Sequence, residues 1–140
     1  MQQARSILDQ SIVAAPGAVT AFRGVDYTGA QATVAGQKIM GIAKRGAALG
    51  QGYEVAVIGT CLVEAGAAFN PGQALIMDAQ GRAISNTGAL AVKAGAVAMT
   101  STAANGAVLQ GSDLPEFVFA DAIGQAVNVG DIVEVLLRRA

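Results

Sequence analysis

The stretch NPGQALIMDAQGRAIS, which begins at Asn70, holds the residue types that a ligand-binding loop would use. Gly72 and Gly81 could bring backbone N–H groups close to a phosphate, and Arg82 stands just beyond them. The alternative is that the two glycines form turns at the ends of a strand. The Pro-Gly pair fits a type II turn, and DAQG fits a type I turn. This second interpretation predicts a hairpin with strands at 73–77 and 82–85, and it leaves Arg82 without a ligand.

Other nucleotide-binding and nucleophilic motifs are missing from the sequence. The glycine-rich segment GAALGQG, from Gly46 to Gly52, has no Lys-Ser/Thr pair after it, and no G-x-G-x-x-G lies between a strand and a helix. Histidine is absent and Cys61 is the one cysteine. Catalytic arrangements that pair serine or cysteine with histidine are therefore excluded, as are intrachain disulfides and multi-cysteine metal sites.

Carboxylates are the remaining candidates for acid–base chemistry. The candidates are Glu54, Glu64, Asp78, Asp121 and Asp131. Asp78 and Asp131 lie in turn contexts, where a side-chain oxygen caps nearby backbone N–H groups. Glu54 and Glu134 fall on the outward phase of predicted strands. Since no spacing predicts a carboxylate dyad and no calcium-loop motif occurs, we expect no enzyme activity, no metal, no cofactor and no small-molecule substrate.

The composition points to a protein that works by contact with other proteins. Charged residues make up 14% of the 140-residue chain, against about 25% in an average globular chain. Hydrophobic residues make up 53%, but aromatic residues only 4%, so small apolar side chains must cover part of the surface. Such a surface does little to resist association. The net charge of −1 provides no positive field for nucleic acid.

The sequence predicts a protein made in the cytoplasm that does not depend on disulfides. Asp9 interrupts what would be the apolar region of a signal peptide. The longest charge-free run, 94–112, is rich in Thr, Ser, Asn, Gln and Gly, which is not the composition of a membrane span. Cys61 lies in the apolar segment VAVIGTCLV, which predicts a buried and unreactive thiol.

Short alternating segments between turn signals predict an all-β fold, a small barrel or sandwich of short strands with long loops. In YEVAVIGTCLV, residues alternate between two faces until Gly59, which predicts a bulge or bend. In DIVEVLLRR, the side chains of Val133, Val135 and Leu137 are expected to face the core, while Glu134 and Arg138 face outward.

Two regions leave alternatives open, and the ends of the chain define the domain prediction. Residues 86–110 permit helix or hairpin, and we assign strand and loop. Ser112 to Phe117 could start one short helix or form a loop. We expect an extended N-terminal arm over residues 1–20 and a single β-rich domain over residues 21–140.

Three segments resemble one another: VAGQKIMGIA, NPGQALIMDA and NVGDIVEVLL. Each has a glycine, a polar residue and then an apolar strand, as expected where a glycine supplies the positive φ of a tight turn. The three glycines, Gly36, Gly72 and Gly130, are unequally spaced. The unequal spacing favours recurring turn chemistry over a true internal repeat.

The order of these segments resembles the phage capsid cement, or head decoration, proteins. The resemblance is carried by GIAKRGAALGQGYEVAVIGTCLVEAGAAFNPGQALIMDAQGRAIS and, later, AIGQAVNVGDIVEVLL. It covers roughly 41–138, with a poor match from 86 to 117. Because the nucleotide loop is missing, the recombinase-like label that some members carry does not apply here.

The resemblance implies a capsid decoration protein that binds the outer surface of a mature phage head and bridges major capsid subunits. It implies a homotrimer on the virion, with no nucleic-acid or membrane partner. Other virion roles (tail, baseplate or shell subunit) and a nucleotide-binding recombination protein remain as alternatives. The resemblance also places capsid or subunit contacts in the N-terminal segment. The candidates are Gln2, Gln3, Arg5, Ile7, Leu8, Ile12 and Val13.

Overall fold

The structure, a computed structural model, describes residues 4–86 and 116–138. Over these residues the protein is all-β and contains no helix, which confirms the predicted fold class. The strands are β1 (Ser6–Val13), β2 (Gly24–Val25), β3 (Gly41–Ala43), β4 (Gly52–Glu64), β5 (Ala74–Met77), β6 (Ala83–Ser85), β7 (Ala120–Ala122) and β8 (Ile132–Leu137). No helix long and apolar enough to cross a membrane occurs in this part of the chain.

The strands form one antiparallel sheet that curls into a nearly closed barrel. The order is β2-β3-β4-β8-β7-β5-β6, and β1 pairs with β4. Its two ends approach each other: the Gly24 N–H of β2 donates to the Gly81 carbonyl, just before β6, at 2.8 Å. Ala65, which follows β4, also forms a bridge with Ala83 of β6. The predicted hairpin around DAQG is present as β5 and β6.

The long strand β4 changes its facing partway along, as the sequence predicts at Gly59. Gly59 has a φ of +107°, and the pairing of β1 with β4 is irregular beside it. Before this point Tyr53 and Val55 pack into one apolar cluster, and after it Cys61 and Val63 pack into another. The irregularity allows one strand to serve two cores, each half of the barrel having its own.

The C-terminal strand confirms most of the predicted pattern. Val133 and Val135 are buried and Leu137 packs against the same cluster. Glu134 differs from expectation: it alternates away from the core but is only 9% exposed. It lies opposite Leu62, and its carbonyl accepts the N–H groups of residues 123 and 124, so the connection from β7 covers it.

The same four-residue turn recurs more often than the sequence indicates. In Asn70–Gln73 and Asn128–Asp131, a glycine with positive φ occupies the third position. The side-chain oxygen of the fourth residue accepts the N–H of the first, at 2.7 Å and 2.9 Å respectively. Ala48–Gln51 forms the same turn, with the Gln51 side chain on the Ala48 N–H at 2.9 Å. Each turn leads directly into a strand.

These turns belong to a larger duplication, which the unequal glycine spacing concealed. The first unit consists of β1, β2, β3 and β4 up to Ala56; the second consists of the rest of β4, β5, β7 and β8. In the first unit Gly24 pairs with Ile42, and in the second Ala74 pairs with Asp121. The remaining ladders match in the same way, since the β1–β4 and β3–β4 pairings recur as β4–β8 and β7–β8.

Backbone hydrogen bonds outside the strands repeat the correspondence. Val19 and Ala47 exchange two bonds, as do Phe69 and Ala126. Asp26 and Asp78 also take the same role, since the Oδ1 of each accepts the N–H groups two and four residues further on. The three similar segments at Gly36, Gly72 and Gly130 are not copies of one another, because Gly72 is equivalent to Phe22 and Gly130 to Gly50. Turn chemistry explains their likeness, and the duplication is a separate repeat that they did not reveal. The residues predicted as strand and loop, 86–110, and the start of the alternative helix at Ser112 lie almost wholly outside the described residues.

Candidate interaction surface

The strand β1 lies at an edge of the sheet. In the part of the chain that the structure describes, it pairs with β4 alone, from Ser6 to Val13. An edge strand presents backbone N–H and C=O groups that another chain can pair with, and soluble proteins usually protect such edges with charges or proline. Six of the eight β1 residues are exposed, so most of this edge is left uncovered by the described residues.

An apolar patch lies on β1 and its neighbours. We define the β1 patch as Ile7, Leu8, Ile58 and Leu136. Ile7 is 81% exposed and Leu8 is 47% exposed. Leu8 lies directly opposite Ile58, and Leu136 lies opposite Thr60, two residues further along β4. These four large apolar side chains are exposed on three neighbouring strands, and exposed apolar surface of this kind is typical of a protein-binding surface.

Polar contacts hold the outer part of β1 in place. The Lys44 Nζ lies 2.8 Å from the Asp9 carboxylate and 3.1 Å from the Ser6 hydroxyl. The hydrogen bond from Lys44 holds the pKa of Asp9 below its usual value, even though burial opposes this shift. Asp9 is therefore charged at neutral pH, and it anchors β1 to the residue that follows β3.

The other N-terminal candidates take different positions. Arg5 exchanges two bonds with Thr60: its N–H donates to the Thr60 hydroxyl at 2.7 Å, and its carbonyl accepts the Thr60 N–H at 2.9 Å. Ile12 is partly buried and packs against the core beside Tyr53, whereas Val13 is half-exposed at the end of the strand. Gln2 and Gln3 lie outside the described residues.

The carboxylates considered for acid–base chemistry are held by basic groups or turns. Four form ion pairs with arginine: Glu54 with Arg45, Glu64 with Arg23, Asp78 with Arg82 and Asp121 with Arg138. The fifth, Asp131, accepts two backbone N–H groups, which lower its pKa. Arg82 therefore binds a carboxylate of its own turn, and no exogenous ligand is needed to account for its position.

The single thiol is inert by position. Cys61 is unpaired with another cysteine and 4% exposed, as the sequence predicts. Burial raises its pKa to about 12, with a further contribution from the charge of Glu134. A thiol with such a pKa is neutral at physiological pH and does not act as a nucleophile. Among the described residues, no group of three or more Cys, Asp or Glu side chains could hold a metal ion.

A hollow of about 260 Å³ lies where the sheet meets the segment that precedes β7. Ile39, Phe117 and Leu137 line it, with Lys38 and Arg138 contributing charged groups. The Lys38 Nζ lies 6.0 Å from the centre of the Phe117 ring. The lining is mainly apolar and contains no catalytic constellation.

Sequence reasoning missed Ile58 and Leu136 as surface residues. Both belong to alternating strands, and their neighbours Ala56 and Val135 are buried. The alternation itself is the signal that could have identified both residues. Ile58 is in phase with Glu54 and Leu136 is in phase with Glu134, on the predicted outward face of each strand.

A β-barrel with an exposed edge strand and an apolar patch is suited to binding other proteins. A sequence model of the family described as phage cement protein matches residues 2–112. The chain therefore belongs to the phage cement protein family. Its role is that of a capsid decoration protein, a structural component of the phage virion, which confirms the predicted class. Among curated proteins none matches the sequence.

A solved structure shares the fold. The chain is similar to the head fiber gp8.5 N base in bacteriophage phi29, with a TM-score of 0.62 and 16% sequence identity. The match covers 94% of this chain and 95% of that one. At this identity the likeness concerns the fold, and it shows that the architecture occurs in another protein of a phage head.

Proposed function

We propose that this protein binds the outer surface of the mature head and stabilises it by bridging neighbouring major capsid subunits, as a homotrimer. The observation that carries the proposal is the β1 patch, which places exposed apolar side chains beside an exposed sheet edge. Ile7 and Leu8, predicted from the sequence as contact residues, form half of this patch. Burying such side chains against a capsid subunit provides about 25 cal/mol for each Å² removed from water.

The mechanism requires binding but no catalysis. A ligand that binds only the mature lattice stabilises that lattice by mass action, and several attachment points in one trimer raise the effective concentration of the remaining ones. The neutral, buried Cys61 thiol and the carboxylates held by arginine support a protein without enzymatic activity.

The test uses undecorated mature heads and measures co-sedimentation. Replacing Ile7 or Leu8 with serine is expected to weaken binding about tenfold or more, since removing a central apolar contact costs more than 1 kcal/mol. Val129→Ser is the matched control, because Val129 is 62% exposed but lies in the Asn128–Asp131 turn, outside the patch. Equal losses for Ile7, Leu8 and Val129, or no binding by the unmodified protein, would contradict the proposal.

Point substitutions are preferable to removal of the N-terminal segment. Deleting residues 1–11 removes most of β1, and this exposes an edge of β4 that includes Val55, with which Gln10 pairs. Loss of binding would then not distinguish a missing contact from a damaged barrel. The location of the protein in micrographs of the virion separates head decoration from a tail or baseplate role.

A further inference from the structure

We propose that the outer edge of β1 binds the Asn70–Gln73 turn of a second copy of this chain, and that this contact joins the copies of the assembly. The inference rests on the proposed function only in that the copies associate with each other. The duplication carries it, because one contact between the two units has no counterpart among the described residues of the same chain.

The existing contact joins the second part of β4 to the Thr20–Arg23 turn of the first unit. The Glu64 N–H donates to the Phe22 carbonyl at 2.8 Å. The Arg23 guanidinium binds both carboxylate oxygens of Glu64, at 2.8 Å and 3.2 Å. The strand edge of the second unit is thus covered by a turn of the first unit.

The duplication identifies the residue of the first unit that corresponds to Glu64. Val13 corresponds to Glu64, since each precedes an alanine (Ala14 or Ala65) that exchanges two backbone hydrogen bonds with the turn before the last strand of its own unit. In an antiparallel ladder alternate residues direct their N–H groups away from the partner strand, so the Val13 N–H points to the free edge, as the Glu64 N–H does. Gly29 lies against the Val13 carbonyl. The N–H and the side chain of Val13 are the groups that face outward.

The other half of the missing contact is the Asn70–Gln73 turn. Gly72 corresponds to Phe22, because their N–H groups donate to the equivalent carbonyls of Ala122 and Ala43. Phe22 is partly covered, whereas residues 70–73 are all exposed and a Cβ on Gly72 would meet open space. No hydrogen bond joins Val13 to this turn within the described residues. The described residues of one chain therefore leave both the Val13 N–H and the turn open to contact with another copy.

A contact between two different surfaces is heterologous, so it generates a closed ring or an open filament. Three copies in a ring would place six units around the axis, each edge covered by the turn of its neighbour. The contact between copies is weaker than the one inside the chain, because Val13 and Gln73 replace the ion pair of Glu64 and Arg23. A weak contact favours assembly where copies are concentrated, as on a capsid surface.

Cross-linking tests the contact directly in the full-length protein. Val13→Cys and Gln73→Cys variants are mixed and treated with a short bis-maleimide, in solution and on heads. Cys61 does not interfere because its thiol is buried and neutral. The mixture is expected to give a cross-linked dimer, whereas each variant alone gives none. A mixture of Val13→Cys with Val129→Cys is the control, and the double variant V13C/Q73C is expected to give a closed trimer.

Two results overturn the inference: no cross-link above the control, or efficient cross-linking of Val13→Cys with itself, which would indicate a symmetric β1–β1 contact. Head binding without the cross-link refutes this inference and leaves the proposed function standing. A cross-link in solution without head binding supports this inference and refutes the proposed function.

A charge pair provides an independent measurement by sedimentation. V13E is expected to weaken self-association, and V13E/Q73R to associate about tenfold more tightly than V13E alone, since it rebuilds the ion pair of the intrachain contact. Melting temperatures control for folding, because the Gln73 side chain also caps the Asn70 N–H. No recovery in the folded double variant counts against the contact.

Discussion

The two units of the barrel have the same strand pairing but different surroundings. In the second unit, the first strand is the second part of β4. A turn of the first unit covers it, and the Glu64 N–H donates to the Phe22 carbonyl. The first unit has an exposed first strand, β1. At one pair of equivalent positions the residue type follows the surroundings: the ion-paired Glu64 of the second unit corresponds to the half-exposed Val13 of the first. The two units therefore share a backbone arrangement while their side chains differ at the position that contacts a neighbour.

Phe22 and Gly72 show the same adaptation in the turns. Both have positive φ, +63° and +84°, which costs a residue with a side chain about 1–2 kcal/mol. Gly72 avoids this cost and has open space around it. Phe22 bears this cost; it lines a hollow with Ile42 and Leu62 and is partly buried, so burial of its side chain offsets part of the strain. The same backbone is therefore compatible with an exposed and a covered turn.

The largest expected effect comes from Gly41 and its counterpart Ala120. A Cβ on Gly41 would collide with the Ala56 carbonyl, whereas the second unit already holds an alanine at this position. Gly41→Ala should lower the free energy of unfolding by about 3 kcal/mol. Ala120→Gly should lower it by about 1 kcal/mol. Urea unfolding measures both. Equal effects would contradict the close approach of the Ala56 carbonyl of β4 to Gly41.

The next effect concerns the contact between the units. Glu64→Gln removes the charge that the partly buried Arg23 binds with two hydrogen bonds, and it should cost about 2 kcal/mol. Glu54→Gln is the matched control, because Glu54 pairs with Arg45 at an exposed site and such pairs contribute little. A thermal shift for Glu54→Gln as large as that for Glu64→Gln would contradict a special role for the inter-unit pair.

The sequence predicts the regular parts of this molecule well. The turn at Gly72, the hairpin after it and the buried faces of Val133 and Val135 follow from local glycine chemistry and from alternation. The duplication was missed because alignment by glycine pairs the wrong turns: the equivalent turn in the first unit has Phe22 where the second has Gly72. A positive φ at phenylalanine depends on tertiary packing, which local patterns do not encode.

The candidate surface was only partly predictable for the same reason. Ile7, Leu8 and Val13 follow from the family resemblance, which places contacts in the N-terminal segment. Ile58 and Leu136 complete the patch because β1 pairs with β4 and β8 continues the sheet, and these pairings link residues far apart in the sequence. The edge of β1 likewise becomes visible only when the strand order is known.

The smallest effect distinguishes two equivalent turns by pH. A backbone-bonded carboxylate, Asp131, closes the turn in the second unit, whereas the neutral amide of Gln51 closes it in the first. The pKa of Asp131 is lowered from 3.8, so its stabilisation is complete above that pH and is lost as the pH falls through the lowered value. Amide exchange at Gly130 should therefore accelerate in acid beyond its intrinsic rate, while exchange at Gly50 should not.

Asp131→Asn is the control for that comparison, since it keeps a side-chain oxygen but does not titrate. The pH dependence at Gly130 should disappear in this variant. If it persists, another group controls the turn, and the difference between the two units lies elsewhere.

The most direct test of the account is a cryo-electron density map of mature heads carrying this protein. We expect density for the barrel on the outer surface, with the β1 patch against major capsid subunits and the edge of β1 against the Asn70–Gln73 turn of a neighbouring copy. Isolated copies, copies on the inner surface, or a β1 patch facing solvent would contradict the account.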